Sequence, residues 1–183
     1  MVRLAVVLLA AGAGSRYVGP THKLLAPLGT STVVGQAAAH ALAADVGPVL
    51  VVEGAVALPR LPGCVVVRHA GWTDGQASSL RAGLAAAGEV DAVVVGLADQ
   101  PGVSPATWNA VASAPGGPVV AARRGVHRGP PVRLDRAVWP LLPHSGDEGA
   151  RVVMREHPHL VSEVAIDDDL ADIDTVEDLE RWS

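Results

Sequence analysis

Between residues 9 and 23 the chain reads LAAGAGSRYVGPTHK, a glycine turn followed by an arginine and a lysine. Bare backbone N–H groups of this glycine turn, backed by Arg16 and Lys23, are equipment for holding an anion such as an extended triphosphate. The plainer alternative is a flexible strand-to-helix loop carrying solvated cations. Two well-known phosphate motifs are excluded. A dinucleotide loop needs Gly or Ala at the third fingerprint position, where this chain has Tyr17, and Glu53 lies too far along to be the acidic residue expected about 20 positions on. No Gly-Lys-Ser/Thr occurs anywhere, which removes the P-loop.

Two acidic segments add a second kind of chemistry. In LADQPGVS, residues 97 to 104, Asp99 follows an apolar run, where a carboxylate can bind Mg²⁺ while nucleotide phosphates supply other oxygens. Its plainer reading is a turn residue bonded to its own backbone. In IDDDLADIDTVEDL, residues 166 to 179, Asp167, Asp168, Asp169, Asp172 and Asp174 are crowded. Crowded carboxylates repel, so they are either solvated or neutralised by a cation, and one could complete a metal site with Asp99. For most of the five, an exposed acidic loop with Asp174 as a helix cap suffices.

These groups need a scaffold, and the chain alternates strand-like and helix-like segments. Strands are expected at Leu4–Leu9, Val49–Glu53, Val65–Arg68, Ala92–Leu97, Pro118–Ala122, Val132–Leu134 and Val161–Ile166. Helices are expected at about Thr32–Ala44, Ser78–Ala87, Pro105–Ser113, Glu148–Glu156 and Val176–Trp182, the last capped by Asp174 or Thr175. LAVVLL and DAVVVGLAD are almost continuously apolar, as suits strands covered on both faces. The expected fold is therefore an α/β/α three-layer arrangement on a mostly parallel, Rossmann-like sheet. In such sheets ligands bind beyond the carboxyl ends of strands, which brings the loops after Leu9 and Leu97 to one crevice.

At 183 residues, 49% hydrophobic and 18% charged, the chain is globular, and a single domain over 1–183 is expected. A net charge of −5 with no basic run argues against nucleic-acid binding. The opening apolar segment is far short of the roughly 20 residues that cross a bilayer, so no membrane partner and a cytoplasmic location are expected. One cysteine, Cys64, leaves no internal disulfide, and it is read as a core residue. His157 and His159 are read as a surface pair and no zinc is expected. No G-x-S-x-G elbow or other nucleophile motif occurs.

Taken in order, LAAGAGSRYVGPTHKLLAPLG, GWTDGQASSLRAGL (71–84), LADQPGV (97–103), GPPVRL (129–134), GDEGAR (146–151) and DIDTVEDL (172–179) resemble the MobA-like nucleotidyltransferases, and within them the molybdenum cofactor cytidylyltransferases. The resemblance implies transfer of a nucleoside monophosphate from an NTP to a phosphorylated acceptor, with release of pyrophosphate. Carried onto this chain, Ala11 to Gly14 cradle phosphates, Arg16 and Lys23 neutralise them, and Asp99 with Asp174, favoured over Asp172, holds Mg²⁺. Gly75 and Ser79 approach the nucleoside, although Ser78 or Ser79 also reads as an N-cap, and Arg151 meets the acceptor phosphate. The chain departs from the family in having Gly129-Pro130-Pro131-Val132 where Gly-His-Pro-Val is usual, and Tyr17 where methionine is common.

Three functions follow from this reading. The first uses CTP and molybdopterin cofactor. The second uses GTP, with the same acceptor or with a small phosphorylated metabolite. The third is a non-catalytic nucleotide-binding module. Partner candidates are a molybdoenzyme and a second copy of the chain packed on an Ala-rich helix face such as residues 37 to 44.

Overall fold

The computed structural model describes residues 2–182. Its strands are β1 (Leu4–Ala10), β2 (Pro27–Leu28), β3 (Ser31–Thr32), β4 (Val49–Glu53), β5 (Cys64–Arg68), β6 (Ala92–Leu97), β7 (Val119–Arg124), β8 (His127–Asp135) and β9 (Val161–Ala165). Its α-helices are α1 (Val33–Ala43), α2 (Gln76–Ala87), α3 (Pro105–Ser113), α4 (Ala150–Glu156) and α5 (Val176–Glu180). Seven strands form one sheet in the order β5-β4-β1-β6-β8-β7-β9, and β2 pairs with β3 apart from it. Only β8 runs against its neighbours; the pairs β1 with β4, β1 with β6, β4 with β5 and β7 with β9 are parallel.

The period-two alternation of a strand explains why β1 reads as unbroken apolar sequence. Val6, Leu8 and Ala10 enter one core layer with Val33, Val34 and Ala37 of α1 and Trp108 of α3. Ala5, Val7 and Leu9 enter the opposite layer with Leu80 and Leu84 of α2 and Val153 of α4. Helices thus cover both faces, and the expected three-layer, mostly parallel sheet is what the chain forms.

Local signals fix the helix starts. Thr32 accepts from the Gly35 N–H at 3.1 Å to cap α1, and Ser104 caps α3 with Pro105 behind it. Thr175, not Asp174, caps α5, in a reciprocal capping box with Asp178.

The strands expected at Pro118–Ala122 and Val132–Leu134 form as β7 and β8, but β8 extends back to His127 and the two are arms of one hairpin turning through Gly125 at φ +59°. The charged stretch Arg123 to Arg128 hid that hairpin, because its tip projects beyond the core and shows no apolar pattern. Cys64 is half-buried and not a core residue, since β5 is an edge strand; burial still pushes its thiol pKa up. Among the described residues no helix is long and apolar enough to cross a membrane.

Trp108 is the largest fully buried side chain, and it lies against Gly96 of β6, where an added Cβ would collide with the indole. Its indole N–H is buried without a partner. Trp108→Ala is therefore expected to cost about 3–5 kcal/mol in urea unfolding. Trp108→Phe should cost clearly less, because no hydrogen bond is lost; equal costs would show that the indole is not held by packing.

Candidate active site

β1 and β6 lie side by side in the middle of the sheet, with Leu9 opposite Leu97. Their carboxyl ends open into a crevice of about 420 Å³, a size suited to a small ligand. The glycine turn of residues 11–14 forms one lip. Gly14 takes φ +61°, and a Cβ there would stand 3.1 Å from both His22 Nε2 and Lys23 Cγ, so only glycine lets the turn close over the lysine stem. His22 clips the two ends of the loop: its Nε2 lies 3.1 Å from the Gly12 carbonyl, and its Nδ1 accepts from the Leu24 N–H at 3.2 Å.

At the foot of the crevice a cation lies between two anions. Lys23 Nζ donates to Asp99 Oδ2 at 2.6 Å and to Asp174 Oδ1 at 2.9 Å, although these residues are 76 and 151 positions away in sequence. The other oxygen of Asp174 meets Arg16 at 3.0 Å. Only 10% of the lysine side chain is accessible, whereas Arg16 is largely solvated. Burial by itself would lower the lysine pKa, but the Asp99 charge and the hydrogen bonds from both carboxylates carry it above its ordinary value, so the ammonium stays charged.

The third wall is the start of α2. Gly75 caps that helix at φ +95°, packed against Gly146, whose carbonyl accepts from the Ala77 N–H at 2.9 Å while its own N–H donates to Asp74 O at 2.8 Å. Neither serine is the N-cap: Ser78 Oγ donates to the carbonyls of Gly71 and Gly75, and Ser79 is buried with its hydroxyl 3.5 Å from Gly75 O. Gly75, Gln76 and Ser79 line the crevice together with Trp72 and Asp147.

Gln76, Leu9, Leu97 and Asp147 are shared with a second, deeper cavity, walled by Leu80, Val95, Val132 and Met154 and carrying Arg151 at its rim. It continues under the β7–β8 hairpin, where Gly129 and Pro130 line it. Arg151 is exposed and makes no hydrogen bond or ion pair among the described residues, leaving its guanidinium available to an anion.

The five crowded aspartates separate into distinct roles. Asp168 accepts from the Ser104 N–H at 2.7 Å, Asp169 pairs with Arg124 at 3.1 Å, and only Asp174 reaches Lys23. Asp172 turns instead toward the second cavity, its Oδ1 accepting from Gln100 Nε2 at 2.8 Å. Burial of that carboxyl, reinforced by the nearby charges of Asp99 and Asp174, raises its pKa to about 6.

Sequence reasoning assigned no part to Gln100, although it directly follows Asp99. It is 5% exposed, ties Leu170 O and Asp172 to the sheet through its Nε2, and leaves its Oε1 buried without a partner beside the second cavity. The signal available was its place beside an expected metal ligand. His22 was missed although it lies within the opening stretch, because nothing in that pattern gives the residue before Lys23 a part.

Asp99 and Asp174 are hard oxygen donors converging on one cation, which is the chemistry a divalent metal requires, and the ammonium shows that a positive charge fits between them. Among the described residues no group of three or more His, Cys, Asp or Glu is placed to hold a metal. Any metal there takes two protein carboxylates and completes its shell from ligand and water.

Known proteins share this fold. Residues 6–161 match the family model described as the MobA-like NTP transferase domain. A curated relative, nicotine blue oxidoreductase of Paenarthrobacter nicotinovorans, is 38% identical over 96% of this chain and 94% of its own length. Among solved structures, Rv0371c of Mycobacterium tuberculosis H37Rv superposes with TM-score 0.81 at 30% identity, covering 98% of this chain and 97% of that one. That protein has also been crystallised in complex with manganese, at TM-score 0.78, 28% identity and the same coverage. A nucleotidyl transferase from Methanothermobacter gives TM-score 0.84 at 28% identity, covering 98% of this chain and 95% of that one.

Replacing Gln100 by Ala frees the Leu170 carbonyl and Asp172 from their shared donor. The expected loss in thermal or urea unfolding is about 1–3 kcal/mol. An unchanged midpoint would show that this amide does not anchor the 170–172 segment.

Proposed function

The chain belongs to the MobA-like NTP transferases, and we propose that it is a Mg²⁺-dependent enzyme moving a nucleoside monophosphate from CTP to a phosphorylated acceptor, molybdopterin cofactor, with release of pyrophosphate. In this reading residues 1–183 act as one nucleotidyltransferase domain in the cytoplasm. The observation that carries it is the convergence of Asp99 and Asp174 on one buried cation at the foot of a glycine-lipped crevice.

The triphosphate lies along the N–H groups of Ala11, Gly12, Ala13 and Gly14, with Arg16 and Lys23 offsetting its charge. Gly75 and Ser79 border the nucleoside. The acceptor enters from the second cavity, its phosphate drawn by Arg151. An acceptor phosphate oxygen attacks the α-phosphorus in line; the new P–O bond forms as the bond to the β-phosphate oxygen breaks, and pyrophosphate leaves with that electron pair. No protein nucleophile is needed, because positioning and charge cancellation carry the step. Mg²⁺ held by Asp99 and Asp174 supplies electrostatic stabilisation of the phosphates.

One finding favours a second reading. The 38% identical relative is named an oxidoreductase, and the same crevice offers a reduced nicotinamide dinucleotide a place for its pyrophosphate beside a cavity of mixed apolar and polar walls for a hydride acceptor. Against it stands Tyr17 in the third fingerprint position.

The decisive assay measures pyrophosphate release with Mg²⁺ and each of the four NTPs, with and without molybdopterin cofactor, and beside it oxidation of NADH and NADPH with a quinonoid dye. Acceptor-dependent release from CTP alone is expected. Release from GTP would transfer the assignment to the guanylyl activity, dye reduction without release would establish the oxidoreductase, and tight nucleotide binding with neither would identify a binding module.

Asp99→Ala should remain folded, because Asp99 sits just beyond the strand end and outside the core, and should lose at least about 100-fold in turnover. Full activity in the folded variant would remove Asp99 from the metal site. Lys23→Ala should weaken NTP binding and slow turnover together, and a change in neither would exclude it from the site.

A further inference from the structure

Lys23 is the only lysine among the 14 basic residues; the other 13 are arginines. Its position is equally singular, since it is the one buried cation among the described residues, and both carboxylates assigned above to the metal are hydrogen-bonded to it. An arginine presents a flat fork with fixed donor directions, whereas lysine presents a compact point charge on a four-carbon stem that can swing. Resting on the metal assignment made above, we propose that Lys23 is a place-holding cation: in the metal-free protein it occupies the divalent site between Asp99 and Asp174, and it must leave those oxygens for the metal to take them.

Two carboxylates facing one small volume cannot both stay ionised without a positive charge between them. Lys23 supplies that charge, through contacts of 2.6 and 2.9 Å to one oxygen of each carboxylate. A Mg²⁺ ion binds carboxylate oxygens at about 2.0–2.1 Å, so a metal on the same oxygens would bring a doubly charged ion and an ammonium within about 4 Å, repelling strongly in a site largely closed to water. The two cations therefore exclude one another.

The outlet for the displaced ammonium is already built. Lys23 Cγ packs under Gly14, and the lysine lines the same crevice as the backbone N–H groups of residues 11–14. A swing of the stem carries the charge from the foot of the crevice toward its glycine lip, where an anionic ligand would sit. Arg16 bonds the outer oxygen of Asp174 from solvent and can yield without leaving a buried charge unpaired. Divalent metal and nucleotide are thus coupled through one side chain: metal entry releases the lysine that the phosphates need, and a nucleotide that draws the lysine away opens the metal site.

The test needs neither acceptor nor turnover. Mn²⁺ binding to the nucleotide-free protein is measured by electron paramagnetic resonance for the unaltered chain and for Lys23→Gln and Lys23→Arg, each shown to be folded by circular dichroism. Lys23→Gln is expected to bind Mn²⁺ about tenfold more tightly, the order expected when one nearby unit charge is removed, and Lys23→Arg is expected to show no such gain. Because the chain has a single lysine, protein made with ¹³C-lysine gives one side-chain Cε signal. That signal is expected to shift and sharpen as diamagnetic Mg²⁺ is added, with a midpoint matching metal binding.

Equal or weaker Mn²⁺ binding by folded Lys23→Gln, or a lysine signal that stays fixed while Mg²⁺ binds, overturns the proposal. Absence of Mn²⁺ binding in all three proteins overturns it together with the metal assignment. Lysine release by Mg²⁺ in a protein that releases no pyrophosphate from any NTP supports the competition and removes only the transferase reading.

Discussion

The buried contact of Lys23 with Asp99 and Asp174 is the constraint on which the rest of the site depends. A buried ammonium is costly unless it is paired and hydrogen-bonded, and pairing it with two carboxylates requires three distant segments to meet at one point. The fold meets that requirement by placing β1 and β6 side by side, so that the loops leaving Ala10 and Leu97 emerge together. The third segment is fastened by its backbone: the Ile173 N–H donates to Asp99 O at 2.8 Å, and the Ile173 side chain is wholly buried. Asp172 and Asp174, on either side of that anchor, are thereby sent in different directions, one to Gln100 and the other to Lys23.

The same logic explains how a chain of net charge −5 keeps a lysine and an arginine together at one crevice. The acidic run near the carboxyl end is spent on local partners: the Ser104 N–H, Arg124, Gln100 and Lys23. Beside the carboxylates of Asp99, Asp147 and Asp174, the crevice is lined by the glycine turn of residues 11–14, the Lys23 ammonium and the exposed Arg16, while Arg151 stands uncommitted at the rim of the second cavity. Local arrangement, not net charge, sets the potential where a ligand binds.

How far the sequence foretold this depends on whether a feature is local. The central strands were legible because burial on both faces leaves an apolar run, and β6 at Ala92–Leu97 and α3 at Pro105–Ser113 fall where they were expected. The glycine turn, Lys23, Asp99 and Asp174 were legible as residue types at strand ends. Their meeting in one crevice was foretold only through the expected sheet topology and the family resemblance, and the direct hydrogen bonds of Lys23 to both carboxylates were not, because nothing within a window of ten residues links positions 23, 99 and 174. The β7–β8 hairpin was hidden by its arginines, and the capping of α2 by Gly75 ran against the ordinary preference for serine at that position. Gln100 escaped notice because an amide gains its meaning only from what surrounds it, here two acceptors on one side and an unfilled hydrogen-bond position on the other.

In the proposed reading the crevice beside β1 takes the nucleotide's phosphates, and the group brought up to them enters through the cavity walled by Leu80, Val95, Val132 and Met154. That cavity mixes apolar walls with the carboxylates of Asp147, Glu148 and Asp172, the side chain of Gln100 and one arginine. Its polar groups are mainly hydrogen-bond acceptors, so it suits a ring system rich in N–H or O–H donors, with an anionic group placed near Arg151. In the proposed reading the identity of the acceptor is therefore set less by the glycine loop than by the residues of α4, the β8 arm and the segment 170–172, with the guanidinium of Arg151 among them.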